Sequence, residues 1–179
     1  MSLIEGPGGG EKNKEQKQKE IERKFLISSF PDNLDQYPHE KILQGYLAIT
    51  EDGTEVRLRK KDDKFFLTVK GGGGRVRDEL EIEMTQDQFA AMWSSTEGKR
   101  LEKTRYMIPY KGATLELDVY GGDLEGLIVV EVEFPSEELS EKFELPAWFA
   151  EEITEDKRYK NQSLALYGDP NKKSSKKTD

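Results

Sequence analysis

The segment Glu20-Ile21-Glu22-Arg23-Lys24 sets two carboxylates and an ammonium at alternating positions. In an extended strand successive side chains point to opposite faces, so Glu20, Glu22 and Lys24 share one face and Ile21, Arg23 and Phe25 the other. The same alternation returns along the chain. Glu55, Arg57 and Arg59 stand against Val56 and Leu58, and Phe66, Thr68 and Lys70 against Phe65, Leu67 and Val69. Arg75, Arg77, Glu79, Glu81 and Glu83 stand against Val76, Leu80, Ile82 and Met84. Lys103 and Arg105 share a face, Glu116 and Asp118 alternate with Leu115, Leu117 and Val119, and Glu131 and Glu133 alternate with Val130, Val132 and Phe134. Carboxylates are the ligands of hard divalent cations, and guanidinium and ammonium groups grip phosphate oxygens. A ligand that needs both sets is a polyanion escorted by Mg²⁺ or Mn²⁺.

Composition narrows the field. The chain has 179 residues, 36% of them charged and 34% hydrophobic, with a net charge of −8. That charge argues against a phosphate-backbone binder, which needs a basic surface, so no nucleic-acid partner is expected. Without cysteine there is neither a disulfide nor a thiolate metal site. One histidine, His39, follows Pro38 in an expected loop; His-rich zinc chemistry is excluded, and a Ser-His-Asp triad would have to rest on that residue. No apolar run is long enough for a membrane span, and a cytoplasmic protein, monomeric or homodimeric, is expected.

The elements that must position these side chains are mostly strands. Turn and alternation signals predict strands over 20–27, 41–50, 55–59, 64–70, 75–84, 100–110, 113–120 and 127–134. Asp52-Gly53 is a hairpin signal, and Gly71 to Gly74 reads as a hairpin loop, since neither a Gly-Lys-Ser/Thr motif nor a helix follows it. Thr85 to Gln88 is a capping box opening a helix to about Ser95, and short helices are expected over 137–144 and 161–167. Pro146 to Phe149 reads as a turn that packs Trp148. The organisation expected is a single domain over 19–168, flanked by a tail or expression scar over 1–18 and a disordered basic tail over 169–179.

Short connections imply antiparallel pairing. Two arrangements suit the alternation. In an open sheet the charges face water; in a closed eight-stranded barrel they line a lumen wide enough for one small ligand. The fold class expected is α+β, mostly β, with a charged interior and a few short helices packed outside.

In order, Glu20-Ile21-Glu22-Arg23-Lys24, Arg57-Leu58-Arg59, Lys70-Gly71, Arg77-Asp78-Glu79-Leu80-Glu81, Lys103-Thr104-Arg105, Leu117-Asp118-Val119, Glu131-Val132-Glu133 and Thr154 to Asn161 resemble the motifs of the triphosphate tunnel metalloenzymes, the CYTH superfamily. The resemblance implies a closed antiparallel tunnel and a metal-dependent triphosphatase, with inorganic tripolyphosphate the preferred substrate. It implies that Lys24, Arg57, Arg59, Lys70, Arg77, Lys103, Arg105 and Arg158 hold phosphates. Glu20, Glu22, Glu131 and Glu133 would hold Mg²⁺ or Mn²⁺, with Glu81 and Asp118 as further or supporting ligands, and Glu20, Glu22, Lys24, Glu131 and Glu133 would form the catalytic set. Thiamine triphosphatase and adenylate cyclase are alternatives; the cyclase-type members carry His-Phe six and five residues before the first Glu, where this chain has Lys14 and Glu15. A polyphosphate-binding module without turnover is a third.

Overall fold

The structure, a computed structural model, describes residues 21–71 and 79–172. Its strands are β1 (Ile21–Ile27), β2 (His39–Ile49), β3 (Glu55–Lys61), β4 (Lys64–Lys70), β5 (Glu79–Met84), β6 (Arg100–Tyr110), β7 (Ala113–Tyr120), β8 (Ile128–Phe134) and β9 (Phe149–Glu152). The helices are α1 (Gln86–Trp93), α2 (Glu137–Lys142) and α3 (Asn161–Tyr167). One antiparallel sheet runs β5-β4-β3-β2-β6-β7-β8-β1-β9.

This corrects the expected eight-stranded closed barrel. Among the described residues there are nine strands, and no ladder joins the ends of the sheet. The ninth strand is the cause. The segment read as a turn after Pro146 continues as β9 and takes the second edge of β1, through Phe25↔Glu152 and Ile27↔Phe149, so that edge is unavailable to β5. The sheet still curls into a deep trough: Glu22 on β1 feels the charge of Lys70 on β4. His39, expected in a loop, opens β2 and is exposed, its ring 5.0 Å from that of Tyr106.

The convex face carries the main core. Phe25, Leu115, Leu117, Val130, Val132 and Phe134 come from alternate positions of β1, β7 and β8, all buried. Burying a side chain of this kind stabilises by about 1.5–3 kcal/mol. Helix supplies little of the cover. Aromatic side chains from the connections and β9 do the rest: Phe143 lies 5.0 Å from Phe134, Phe149 lies 4.8 Å from Phe25, and Trp148 meets Phe149 edge-on. Ser136 caps α2 by accepting from the Leu139 N–H, and Thr85 with Gln88 forms the expected capping box of α1.

A second apolar cluster sits on the concave face. Leu101, Tyr120 and Val129 continue the rows of Lys103, Asp118 and Glu131 and pack with Ile153, Tyr159 and Leu164. One end of the trough is therefore filled by side chains beneath α3. Residues 169–172 fold back, Asn171 Nδ2 donating to Tyr159 Oη at 2.7 Å. Of the tails expected over 1–18 and 169–179, residues 1–18 and 173–179 lie outside the described residues, as do Gly72 to Gly74. No helix among the described residues is long and apolar enough to cross a membrane.

Gly45 of β2 lies against the turn after α1. A Cβ there would fall 2.6 Å from Thr96 Oγ1 and 2.8 Å from a Trp93 ring carbon. Thr96 cannot yield freely, because its hydroxyl donates to Trp93 O at 2.7 Å and accepts from Arg100 Nε at 2.9 Å. Gly45→Ala is expected to lower stability by about 1–3 kcal/mol through overpacking, read from the midpoint of urea unfolding.

Candidate active site

Register places the charged rows. Across β1 and β8, Glu22 faces Glu133 and Lys24 faces Glu131; across β6 and β7, Arg105 faces Asp118; across β3, β4 and β5, Glu55 faces Lys70, which faces Glu79. Inside a curved sheet these rows converge. They line a cavity of about 490 Å³ whose walls carry Glu22, Lys24, Glu55, Arg57, Arg59, Lys70, Glu79, Lys103, Arg105, Glu116, Glu131 and Glu133.

The carboxylate of Asp118 anchors one wall. It is fully buried and accepts from Lys103 Nζ at 2.5 Å and from Arg105 Nε and Nη2 at 2.7 and 2.8 Å. Burial opposes its charge, but Lys103 and Arg105 outweigh that and hold it below the ordinary carboxylate value. Arg105 also pairs with Glu116 and reaches within 3.7 Å of Glu131. Facing it, the Lys24 ammonium lies 2.9 Å from Glu131 and 3.8 Å from Glu22. Burial again works against the charge, and Glu131 and then Glu22 carry the lysine above its usual range.

On the third wall Arg57 is held by Glu55 at 2.6 Å and by Glu79 at 3.5 Å. The Nε atoms of Arg57 and Arg59 are buried and have no hydrogen-bond partner among the described residues. Burial, and next the charge of Arg57, lower the pKa of Arg59. Two crowded guanidinium groups with unused donors form a ready seat for an anion.

The residues singled out from the sequence divide into four groups. Glu22, Lys24, Arg57, Arg59, Lys70, Lys103, Arg105, Glu131 and Glu133 meet at the cavity. Asp118 lies behind the wall, its oxygens occupied by Lys103 and Arg105, and Glu81 on β5 accepts from Thr68 Oγ1 at 3.0 Å. Arg158 is outside the lining; its side chain is 68% exposed and paired with Asp156 at 2.7 Å. Glu20 and Arg77 lie outside the described residues. Alternation missed Gln44 and Tyr46 of β2, which line the cavity between the two pairs of cations, Gln44 Nε2 donating to Tyr46 Oη at 2.7 Å. It also missed Lys160, Asn161 and Gln162 at the start of α3, which no strand pattern could reveal. Counting alternate positions along 41–50 would have grouped Ile42, Gln44 and Tyr46 on one face.

A divalent cation suits this donor set. No three carboxylates among the described residues form a complete cation site by themselves. Yet Glu22 with Glu133, and Glu116 with Glu131, face each other across adjacent strands. Burial, and then the Glu131 charge, push Glu22 above the usual carboxylate range, a crowding that a cation would relieve. Mg²⁺ in particular takes one or two carboxylates and completes its shell with water and phosphate oxygens.

Comparison with known proteins agrees with this geometry. Residues 18–166 match the CYTH domain. An inorganic triphosphatase of Nitrosomonas europaea is 50% identical over 150 residues, covering 82% of this chain and 97% of its own length. One from Acetivibrio thermocellus is 37% identical over 153 residues, covering 82% and 92%. The crystal structure of the inorganic triphosphatase NE1496 matches with a TM-score of 0.69 at 47% identity, over 82% of this chain and 94% of that one.

Removing the Asp118 charge takes from buried Lys103 its ion pair and from Arg105 the bidentate one. Asp118→Asn is expected to cost about 3–5 kcal/mol at pH 7, measured by urea unfolding. The folded-state pKa is depressed, so the wild type keeps this stabilisation above the ordinary value of 3.8 and loses it as pH falls through the lower folded value. The gap between the two proteins should narrow in that window.

Proposed function

The chain belongs to the CYTH family, and from that premise we propose that it hydrolyses inorganic tripolyphosphate with Mg²⁺ or Mn²⁺. One observation carries the reading: Arg57 and Arg59, whose buried Nε donors have no partner among the described residues, line a cavity whose other walls hold Lys24, Lys103 and Arg105. An unsatisfied buried donor is costly, and phosphate oxygens would satisfy it. Two relatives, 50% and 37% identical, are inorganic triphosphatases, which supports tripolyphosphate over a nucleotide or thiamine ester.

Lys24, Arg57, Arg59, Lys70, Lys103 and Arg105 would bind and straighten the phosphate chain. Phosphoryl transfer leaves the protein little covalent work, so position and charge supply most of the effect. Glu22, Glu131 and Glu133 would hold the divalent ion, and the sequence pattern adds Glu20 to that set. When bound, such an ion neutralises phosphate charge and polarises the phosphorus–oxygen bonds. Asp118 keeps Lys103 and Arg105 aimed inward, a supporting role, and Glu81 serves β4 and β5 through Thr68.

Purified protein is expected to release phosphate from tripolyphosphate only with Mg²⁺ or Mn²⁺ present, and to form no cyclic AMP from ATP. Lys24→Ala and Arg59→Ala should each lose about ten- to more than a hundredfold in rate, from roughly 1.5–3 kcal/mol per charge-assisted contact. Glu131→Ala should abolish or shift the metal dependence. Full activity in the lysine and arginine variants, or tight metal-dependent binding without turnover, would overturn the reading.

A further inference from the structure

The strand that delivers Lys24 is held from behind by a side chain where a sheet ordinarily uses backbone. β9 stops at Glu152, level with Phe25. One residue earlier on β1, the Lys24 carbonyl still accepts from the Ile153 N–H at 2.8 Å, but the Lys24 N–H donates to Thr154 Oγ1 at 3.0 Å. Thr154 in turn donates to Glu152 Oε1 at 2.8 Å, so its proton is committed and a lone pair is left for Lys24. Glu152 is fixed by Arg23, whose Nε and Nη2 donate to its two oxygens at 2.9 and 2.7 Å. Arg23 is fixed too, by donation to Ser140 O at 2.9 Å and by its place 5.0 Å from the Phe25 ring. A continuous relay thus runs from α2 through Arg23, Glu152 and Thr154 to the amide of Lys24, entirely outside the cavity.

We propose that Thr154 is a positioning residue for the reaction: its hydroxyl, oriented by Glu152 and Arg23, sets the backbone of Lys24 and so the point at which the ammonium meets Glu131 and the phosphate chain. This rests on the reading that Lys24 contacts a triphosphate. Thr154 also marks where the chain leaves the sheet on its way to Lys160, Asn161 and Gln162 in the cavity lining, so one hydroxyl registers two parts of the wall against each other. Arg23, a charged residue on the convex side of β1, acquires a role that its alternation alone left unassigned.

The test compares Thr154→Val, which keeps the shape and removes the hydroxyl, with Thr154→Ser, which restores it, and with Glu152→Gln, which keeps an acceptor but loses the Arg23 ion pair. Each is first checked for fold by circular dichroism. Thr154→Val should lose about tenfold in kcat on tripolyphosphate, with a smaller change in KM, since displacing a catalytic group by a fraction of an ångström acts mainly on turnover. Thr154→Ser should recover most of that loss, and Glu152→Gln should fall between. In amide hydrogen exchange by NMR, the Lys24 N–H should exchange faster in Thr154→Val while that of Phe25 does not. A Thr154→Val protein with wild-type kcat, or a Thr154→Ser protein as impaired as Thr154→Val, would overturn the proposal. If the wild type itself released no phosphate from tripolyphosphate, the substrate reading would fail, and unchanged exchange at Lys24 in Thr154→Val would then overturn the positioning role independently.

Discussion

Charge turned inward has to be answered by charge. A curved sheet that points its ionic faces at each other cannot leave Lys103 or Arg105 alone in a wall of low polarity, because an uncompensated buried ion costs several kcal/mol. Asp118 answers both at once, with two oxygens and three donors. The rest of the interior follows the same logic: Glu131 answers Lys24, and Glu55 and Glu79 answer Arg57. The wall is therefore a lattice of mutual constraints. Where the lattice leaves donors unused, at Arg57 and Arg59, it is complementary to something the chain does not itself provide.

Alternation made most of this legible. A strand has a period of two, so parity alone sorts inward from outward, and the concave rows from Glu22 to Glu133 follow that parity without exception in β1, β3, β6, β7 and β8. Parity says nothing of what seals a sheet edge. β9 has four residues, follows a proline and pairs with β1 through an irregular register, and such a strand leaves almost no trace in composition. The reading of a closed barrel failed there. Parity is equally blind to contributions from outside the sheet. Lys160 to Gln162 arrive on a helix start, and Arg158, two residues before, turns outward to Asp156.

The two apolar clusters divide the labour between faces. On the convex side, aromatic residues from the connections take the place that helices occupy in most sheet proteins, which explains how a chain so poor in helix covers Phe25, Leu115 and Leu117. On the concave side, the same strands change from ionic to apolar partway along: Lys24 gives way to Leu26, Lys103 to Leu101 and Asp118 to Tyr120. Each strand thus encodes a polar vessel and its apolar floor in one row of side chains, and α3 is held on that floor by Leu164.

The last strand on the other side, β5, ends the sheet with its backbone unpaired among the described residues. Its outer face bears Leu80 and Ile82, 64% and 49% exposed, while Glu79, Glu81 and Glu83 occupy the inner face. Exposed aliphatics on a bare edge invite further strands to add on. A second β5 laid antiparallel along this edge would set its glutamate row against this one, and like charges directly opposite repel. The acidic row whose Glu79 answers Arg57 at the cavity thus also weighs, by its charge, against antiparallel addition at the sheet's open edge.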